Sequence, residues 1–205
     1  GGDVAIDATN GIQINTLPIT IQPALSSVPM KLGGSVPAST MHLSNVELNR
    51  LFTTNSLQLG GIYCTYMTID GIQLNNNASV VNLWSGTVSA YSYVTFSGGV
   101  SNFSQPLDVR STGNIVVSTN VTGLSSSLLT NSWFAPSTTF TGSAYGLVMS
   151  MIADSDCDRV GNVTISTISS VISSGRPLLL QAYDVNLQGI VNAGTSFVRL
   201  ATCPS

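Results

Sequence analysis

Apolar side chains alternate with polar ones over many short stretches of this chain, and this alternation constrains the fold more than any other feature. A period of two residues places every second side chain on one face of a strand. Clusters of glycine, asparagine and aspartate, which favour turns, separate the stretches. The clearest alternating pairs are Ile19/Ile21, Met30/Leu32, Leu57/Leu59, Met67/Ile69, Val81/Leu83, Val94/Phe96, Leu107/Val109, Ile115/Val117, Val163/Ile165 and Leu178/Leu180. The pattern predicts an all-β protein, and its short, irregular spacing fits either a parallel β-helix or a β-sandwich.

One short helix is expected among the strands. Ser44 and Glu47 have the spacing of a capping box, in which each side chain bonds the backbone amide of the other residue. The apolar residues after Glu47 continue at helical spacing. This predicts two helical turns that end near Thr53.

The whole chain, residues 1–205, is expected to form a single β-rich unit, since all-β domains often reach about 200 residues. Residues 124–159 are rich in serine and are predicted to be a loop insertion in a continuous sheet. Within them, Ala144 to Ala153 is the longest weakly polar segment and is predicted to be a buried strand.

Charged residues are scarce. The chain has 6 Lys and Arg and 9 Asp and Glu, for a net charge of −3, whereas 51 residues are Ser or Thr. A small negative net charge removes the attraction to phosphates on which nucleic-acid binding depends, so no nucleic-acid partner is expected. No apolar run approaches the roughly 20 residues that a transmembrane helix needs, so no transmembrane segment is expected either.

Residues suited to catalysis or metal binding are few. Asp154, Asp156 and Asp158 alternate and are weak candidates for a Ca²⁺ site, but the EF-hand comparison fails because Arg159 stands where that loop needs glycine. His42 is the only histidine, and a single histidine between Met41 and Leu43 on an alternating strand gives no basis for a Ser-His-Asp arrangement. We therefore expect no catalytic residues, no cofactor and no resident metal.

The cysteines and sequons are compatible with a secreted protein. An odd number of cysteines in an oxidising compartment indicates one internal disulfide and one thiol paired elsewhere, and Cys203 is the expected partner of a neighbouring unit. Three buried thiols in a reducing compartment are the alternative. The disulfide candidates are Cys64, Cys157 and Cys203, and the N-glycosylation candidates are Asn77, Asn102, Asn120 and Asn162.

Aromatic residues concentrate between residues 63 and 96. Tyr91 and Tyr93 are two positions apart and are predicted to share one strand face. Such a face is a candidate platform for glycan binding. Cross-strand packing is the alternative.

Three stretches carry a resemblance to a known family. They are Met41 to Gly60 (MHLSNVELNRLFTTNSLQLG), Gly113 to Ser118 (GNIVVS) and Pro177 to Gly194 (PLLLQAYDVNLQGIVNAG). They resemble the repeats of large filamentous-haemagglutinin-type surface proteins, in which a phrase beginning LSxxELxRL recurs between strands. The resemblance covers about half of the chain, and it implies a right-handed parallel β-helix and a role in an extracellular fibre, adhesin or surface appendage. These motifs are architectural and transfer no catalytic residue.

Taken together, these features predict an extracellular structural protein that self-assembles with neighbouring copies or repeats, and not an enzyme. Two alternatives belong to other classes. One is an adhesin or carbohydrate-binding module that uses Tyr91 and Tyr93. The other is a pilin-like β-sandwich subunit that polymerises by donor-strand exchange, with Gly1 to Pro23 as the donated segment.

Overall fold

The chain is built from short parallel strands arranged in a small number of sheets. A computed structural model describes residues 11–25, 28–36, 40–75, 78–86, 92–123 and 149–203. Three sheets contain seven, five and seven strands, and a fourth contains two. Every strand pair in the described residues is parallel. The prediction of an all-β protein is therefore confirmed.

From one end to the other, the strands of each sheet are as follows. Sheet 1 contains β4 (Met41–Leu43), β3 (Met30–Gly33), β7 (Tyr66–Asp70), β10 (Tyr93–Ser97), β13 (Asn114–Val117), β16 (Asn162–Ile165) and β19 (Asp184–Leu187). Sheet 2 contains β8 (Gln73–Leu74), β11 (Ser101–Phe103), β14 (Val121–Gly123), β17 (Ser170–Ile172) and β20 (Ile190–Asn192). Sheet 3 contains β2 (Ile19–Ile21), β6 (Ser56–Gly61), β9 (Val80–Ser85), β12 (Leu107–Ser111), β15 (Met149–Ile152), β18 (Leu178–Gln181) and β21 (Val198–Ala201). The two-stranded sheet pairs β1 (Ile12–Gln13) with β5 (Leu51–Phe52).

From β7 onward, consecutive strands fall in sheets 1, 2 and 3 in turn, so each strand pairs with the strand three places later in the chain. We call each set of three successive strands a level; β7, β8 and β9 form one level. The register keeps equivalent residues in columns. Val94 lies between Met67 and Ile115, for example.

The inward positions of all three sheets build one apolar core. In β10 the alternate residues Val94 and Phe96 are buried, and the other three residues of the strand are half-buried. This is the pattern that a period of two predicts. Val94 and Phe96 belong to the same buried cluster as Phe103 of sheet 2 and Leu107 of sheet 3. Each inner level is thus stabilised by its own inward side chains and by the levels on both sides of it.

The levels before β7 are less regular. Both β3 and β4 belong to sheet 1, and β3 lies between β4 and β7. Helix α1 (Asn45–Leu48) follows β4 and begins with the predicted capping box, in which the Glu47 amide donates to Ser44 Oγ and the Ser44 amide donates to Glu47 Oε2. The predicted helix was too long, because it ends at Leu48 and the next apolar pair forms β5.

The predicted loop insertion at 124–159 is only partly described, since residues 124–148 lie outside the described residues. Residues 149–152 form β15, which is fully buried and pairs on both sides within sheet 3. The buried strand predicted for this region is confirmed for these residues. Any insertion therefore excludes them.

Candidate functional site

The three alternating aspartates lie in the loop that follows β15. One carboxylate oxygen from each of Asp154, Asp156 and Asp158 lies within 4.8 Å of the other two. Asp154 is buried, whereas Asp156 and Asp158 are exposed. The three aspartates were candidates because they alternate, and in the structure a loop, not a strand, brings their carboxylates together.

The loop holds its acidic groups through its own backbone. The Arg159 amide donates to Asp154 Oδ1 over 3.1 Å, and the Val160 amide donates to Asp158 Oδ1 over 2.9 Å. The pKa of Asp154 is raised, first by burial, then by contact with the Asp158 carboxyl and by the charges of Asp158 and Asp156. The hydrogen bond from the Arg159 amide opposes this rise. Burial first, and then the Asp158 charge, raise the pKa of Asp156. Both carboxyls therefore hold a proton more readily than an ordinary aspartate does.

The cysteines are divided between one bridge and one free thiol. Cys157, inside the acidic loop, forms a disulfide with Cys203, which follows β21. The structure therefore places Cys203 in the internal bridge and not in a bridge to a neighbouring unit. Cys203 Sγ also contacts the Asp154 carbonyl at 3.1 Å, and because a disulfide sulfur carries no proton this is a contact and not a hydrogen bond.

Cys64 is the free cysteine and is fully buried. Burial raises the pKa of its thiol to about 12, partly offset by a backbone hydrogen bond. The thiolate is the reactive form of cysteine, so Cys64 is held in its inert form.

We expect the native protein to react with no equivalent of a thiol reagent such as DTNB at neutral pH. After unfolding in urea without reductant, one equivalent should react, because Cys64 becomes exposed while Cys157 and Cys203 stay bridged. The control is a Cys64→Ala variant, which should show no reactive thiol in either state. Rapid labelling of the native protein would contradict the burial of Cys64.

The glycan-binding candidates are partly outside the described residues, because Tyr91 is not among them. Tyr93 stacks on Tyr66 of the preceding level, with ring centroids 5.5 Å apart and planes 4° from parallel. This cross-strand pair covers one face of each ring. Trp84, Asp108 and Arg110 line a separate cleft of about 120 Å³ on sheet 3. That volume is small for a sugar, since ligand pockets usually measure about 300 Å³ or more.

The sequons differ in accessibility. Asn162 is exposed at the start of β16. Asn120 is exposed and accepts from Ser170 Oγ, whereas Asn102 is half-buried and donates to Gln73 Oε1 over 2.8 Å. Asn77 lies outside the described residues. Of the three described sequons, those of Asn120 and Asn162 therefore have exposed asparagines.

His42 is buried within sheet 1 and contacts the backbone of the neighbouring strand. It is 2% exposed in β4, and its Nε2 lies 3.0 Å from the Gly33 carbonyl oxygen. This places the imidazole inside sheet 1, next to β3, away from the acidic loop after β15. The structure therefore brings no histidine to the aspartates.

The last level, β19 to β21, leaves several large apolar side chains exposed. Leu187 and Leu200 are 42% and 55% exposed, although Ile165 and Leu180, their column neighbours one level inward, are 0% exposed. The cause is position, because each of these leucines has a neighbouring strand on one side only. Their alternation was visible in the sequence, but nothing in it distinguished them from core positions.

The two ends of the stack are not alike. At the opposite end, Leu43 of β4 is 0% exposed and Ile19 of β2 is 4% exposed. Their strands are also the outermost in their sheets. The apolar core is therefore closed at the β4/β2 end and open at the β19–β21 end, in the part of the chain that the structure describes. We call this open face, which includes Val185, Leu187, Val198 and Leu200, the terminal edge.

No described helix has the length and hydropathy to cross a membrane. Comparison with known protein families, with curated proteins and with solved structures found no match to this chain. The likeness to filamentous-haemagglutinin-type repeats therefore rests on the sequence motifs quoted above.

Proposed function

We propose that the chain is a right-handed parallel β-helix that serves as a self-assembling subunit or repeat segment of an extracellular filament or surface appendage. The terminal edge is the observation that carries this proposal. It combines exposed core side chains with three strands that have no outer pairing partner among the described residues. Unpaired strand edges of this kind recruit further strands.

The strand order supports the β-helix and not the pilin-like sandwich. Successive strands visit three sheets in turn and pair only in parallel with the following level, as the strands of a coiled solenoid do. A sandwich is built from antiparallel sheets instead. Part of the segment proposed for donation is also already in use, since β1 and β2 pair with β5 and β6 of the same chain.

The occupant that best fits the terminal edge is another copy of the same chain, docked through its β4/β2 end. In sheet 3, the column that ends at Val198 and Leu200 begins at Ile19 and Ile21, so a translated copy would place β2 beside β21 in the same direction. In sheet 1, the column that ends at Leu187 begins at Leu43. Contact between unlike ends, repeated along the stack axis, builds an open filament when it does not close into a ring.

Charge does not oppose this docking. The strands β4 and β2 contain no Asp, Glu, Lys or Arg. The terminal edge contains Asp184 and Arg199, which are of opposite sign. Natural proteins commonly protect strand edges with charged residues, lysine above all. The strands at the two ends of the stack, β2 and β4 at one end and β19, β20 and β21 at the other, contain no lysine.

An extracellular location is part of the proposal. The Cys157–Cys203 disulfide supports it, because disulfides persist in oxidising compartments and are rare in the cytosol. The proposal assigns no catalytic residue to the chain. The adhesin alternative has less support, because Tyr66 and Tyr93 cover one another's faces and the cleft beside Trp84 is small.

The test compares the assembly of the wild-type chain with that of a Leu187→Lys/Leu200→Lys variant. We expect the wild type to form filaments at rising concentration, seen by negative-stain microscopy and sedimentation. The double variant should need at least about a hundredfold higher concentration, since burying two unpaired ammonium groups at the contact costs about 3 kcal/mol or more. Both leucines are exposed in the single chain, so its own fold should be retained.

Val100→Lys is the matched control, because Val100 is 45% exposed in the connection between β10 and β11, three levels inward of the terminal edge. It should assemble as the wild type does. A wild type that sediments as a monomer at every soluble concentration would rule out self-assembly of this chain. Equal assembly by the double variant would rule out the terminal edge as the contact.

A further inference from the structure

We propose that Asp154, Asp156 and Asp158 bind a Ca²⁺ ion, at a site distinct from the terminal edge. The proposal rests on one buried carboxylate with a missing partner and on two further carboxylates that converge on it. It does not depend on the assembly proposed above.

The missing partner is at Asp154. This residue is 1% exposed, and its buried Oδ2 has no hydrogen-bond partner among the described residues. A buried carboxylate oxygen without a donor or a cation is costly, because it has lost water and gained nothing in exchange. The other oxygen, Oδ1, is already held by the Arg159 amide. The unsatisfied oxygen is therefore free to act as a ligand.

The surrounding groups suit a hard cation. Asp156 and Asp158 each bring one carboxylate oxygen within 4.8 Å of that of Asp154. Two ligands of one Ca²⁺ ion, each at about 2.3–2.6 Å, can be up to about 5 Å apart, so all three oxygens can contact a single ion. Two of the three aspartates are exposed, which leaves room for the water ligands that complete a Ca²⁺ shell.

Like charges meet in this cluster. Arg159, the basic residue of the same loop, contributes its backbone amide to Asp154. Three carboxylates this close repel one another, and a divalent cation removes the repulsion.

The ligands are also held in place before any ion arrives. The Asp154 amide donates to the Gly113 carbonyl over 3.3 Å, and its carbonyl accepts from the Cys157 amide over 3.1 Å. The Val160 amide fixes Asp158 Oδ1. The Cys157–Cys203 bridge ties the same loop to the segment after β21. Such preorganisation lowers the ordering cost of binding.

The test is calorimetric titration of the disulfide-intact chain with CaCl₂ at neutral pH. We expect one site with a Kd of about 10⁻⁴–10⁻³ M, the range of extracellular Ca²⁺ modules. Asp156→Asn and Asp158→Asn should each weaken binding at least about tenfold, because each removes one negative ligand while keeping the side-chain shape. Saturating Ca²⁺ should raise the Tm of the wild type by roughly 2–4 °C and leave the Tm of an Asp156→Asn/Asp158→Asn double variant unchanged.

Asp184→Asn is the control, because Asp184 is an exposed aspartate in β19, outside the cluster, and this variant should bind as the wild type does. The exposed positions are used for the variants so that folding does not depend on the change at the buried Asp154. No heat of binding at about 10 mM Ca²⁺ would overturn the proposal. Equal affinity of the Asp156→Asn/Asp158→Asn double variant and the wild type would overturn it as well.

Discussion

Replacement of Gly60 by alanine is expected to lower the free energy of unfolding by about 3 kcal/mol or more. Gly60 lies in β6 with φ +83°, a conformation that costs an L residue roughly 1–2 kcal/mol. A Cβ atom there would also lie under 3.0 Å from the Trp84 carbonyl oxygen and from Met67 Cε. The Trp84 carbonyl belongs to β9, which pairs with β6, so relief of the clash requires the two strands to separate.

Gly175→Ala is the matched control for this prediction. Gly175 has a similar φ of +87°, but the nearest atom to an added Cβ is Thr195 Oγ1 at 3.7 Å. The free energy of unfolding of this variant should fall by only roughly 1–2 kcal/mol, the cost of placing an L residue in this conformation. Urea unfolding followed by circular dichroism measures both losses. Equal losses in the two variants would show that the close approach of β6 to β9 does not matter.

Phe96→Ala is expected to destabilise the chain by about 3–5 kcal/mol. Phe96 is 0% exposed and lies in its column between Ile69 and Val117, which are also 0% exposed. Alanine would leave a cavity within a packed stack, and the backbone ladders above and below prevent the levels from closing over it. The measurement is again the free energy of unfolding in urea.

The matched control is Phe197→Ala, because Phe197 is 48% exposed beside the terminal edge. It should cost less than about 1 kcal/mol in the single chain. If Phe96→Ala cost no more than Phe197→Ala, the core would not be close-packed at this level. In assembled filaments, by contrast, the proposed function places Phe197 close to the contact between copies.

The columns give a physical reason for the scarcity of charge. The outward column through β10 contains His42, Lys31, Thr68, Thr95, Val116, Thr164 and Asn186, and among these seven residues Lys31 alone carries a formal charge. Parallel strands are about 4.8 Å apart, so identical charges in such a column would repel at every level. Hydroxyl and amide groups bond one another along the stack instead, as Asn102 does with Gln73.

Some features were accessible from the sequence because they depend on near neighbours. The strand class follows from alternation in segments such as Val94 to Phe96, and the capping box of Ser44 and Glu47 follows from their spacing. The extent of the helix was not accessible. Leu51 and Phe52 continue a helical pattern, but the chance to pair with β1 makes them a strand.

In the candidate sites, too, some features were accessible from the sequence and others only from the structure. The aspartates were recognised in the sequence, yet only their folded positions show that Asp154 is buried with an oxygen that lacks a partner among the described residues. Tyr91 lies outside the described residues, and Tyr93 stacks on Tyr66, which is distant in sequence and lies beside it in the preceding level.

By itself, the sequence determined that this chain is made of short strands, which side chains alternate on each strand, and that few charges are present. Tertiary structure alone decided which strands share a sheet, that Cys157 pairs with Cys203, and that Leu187 and Leu200 remain exposed while Ile165 and Leu180 are buried. The reason is that alternation is a property of consecutive residues. Burial, pairing and exposure depend instead on which distant segments lie side by side, and a strand at the end of a stack has the same local pattern as one in its middle.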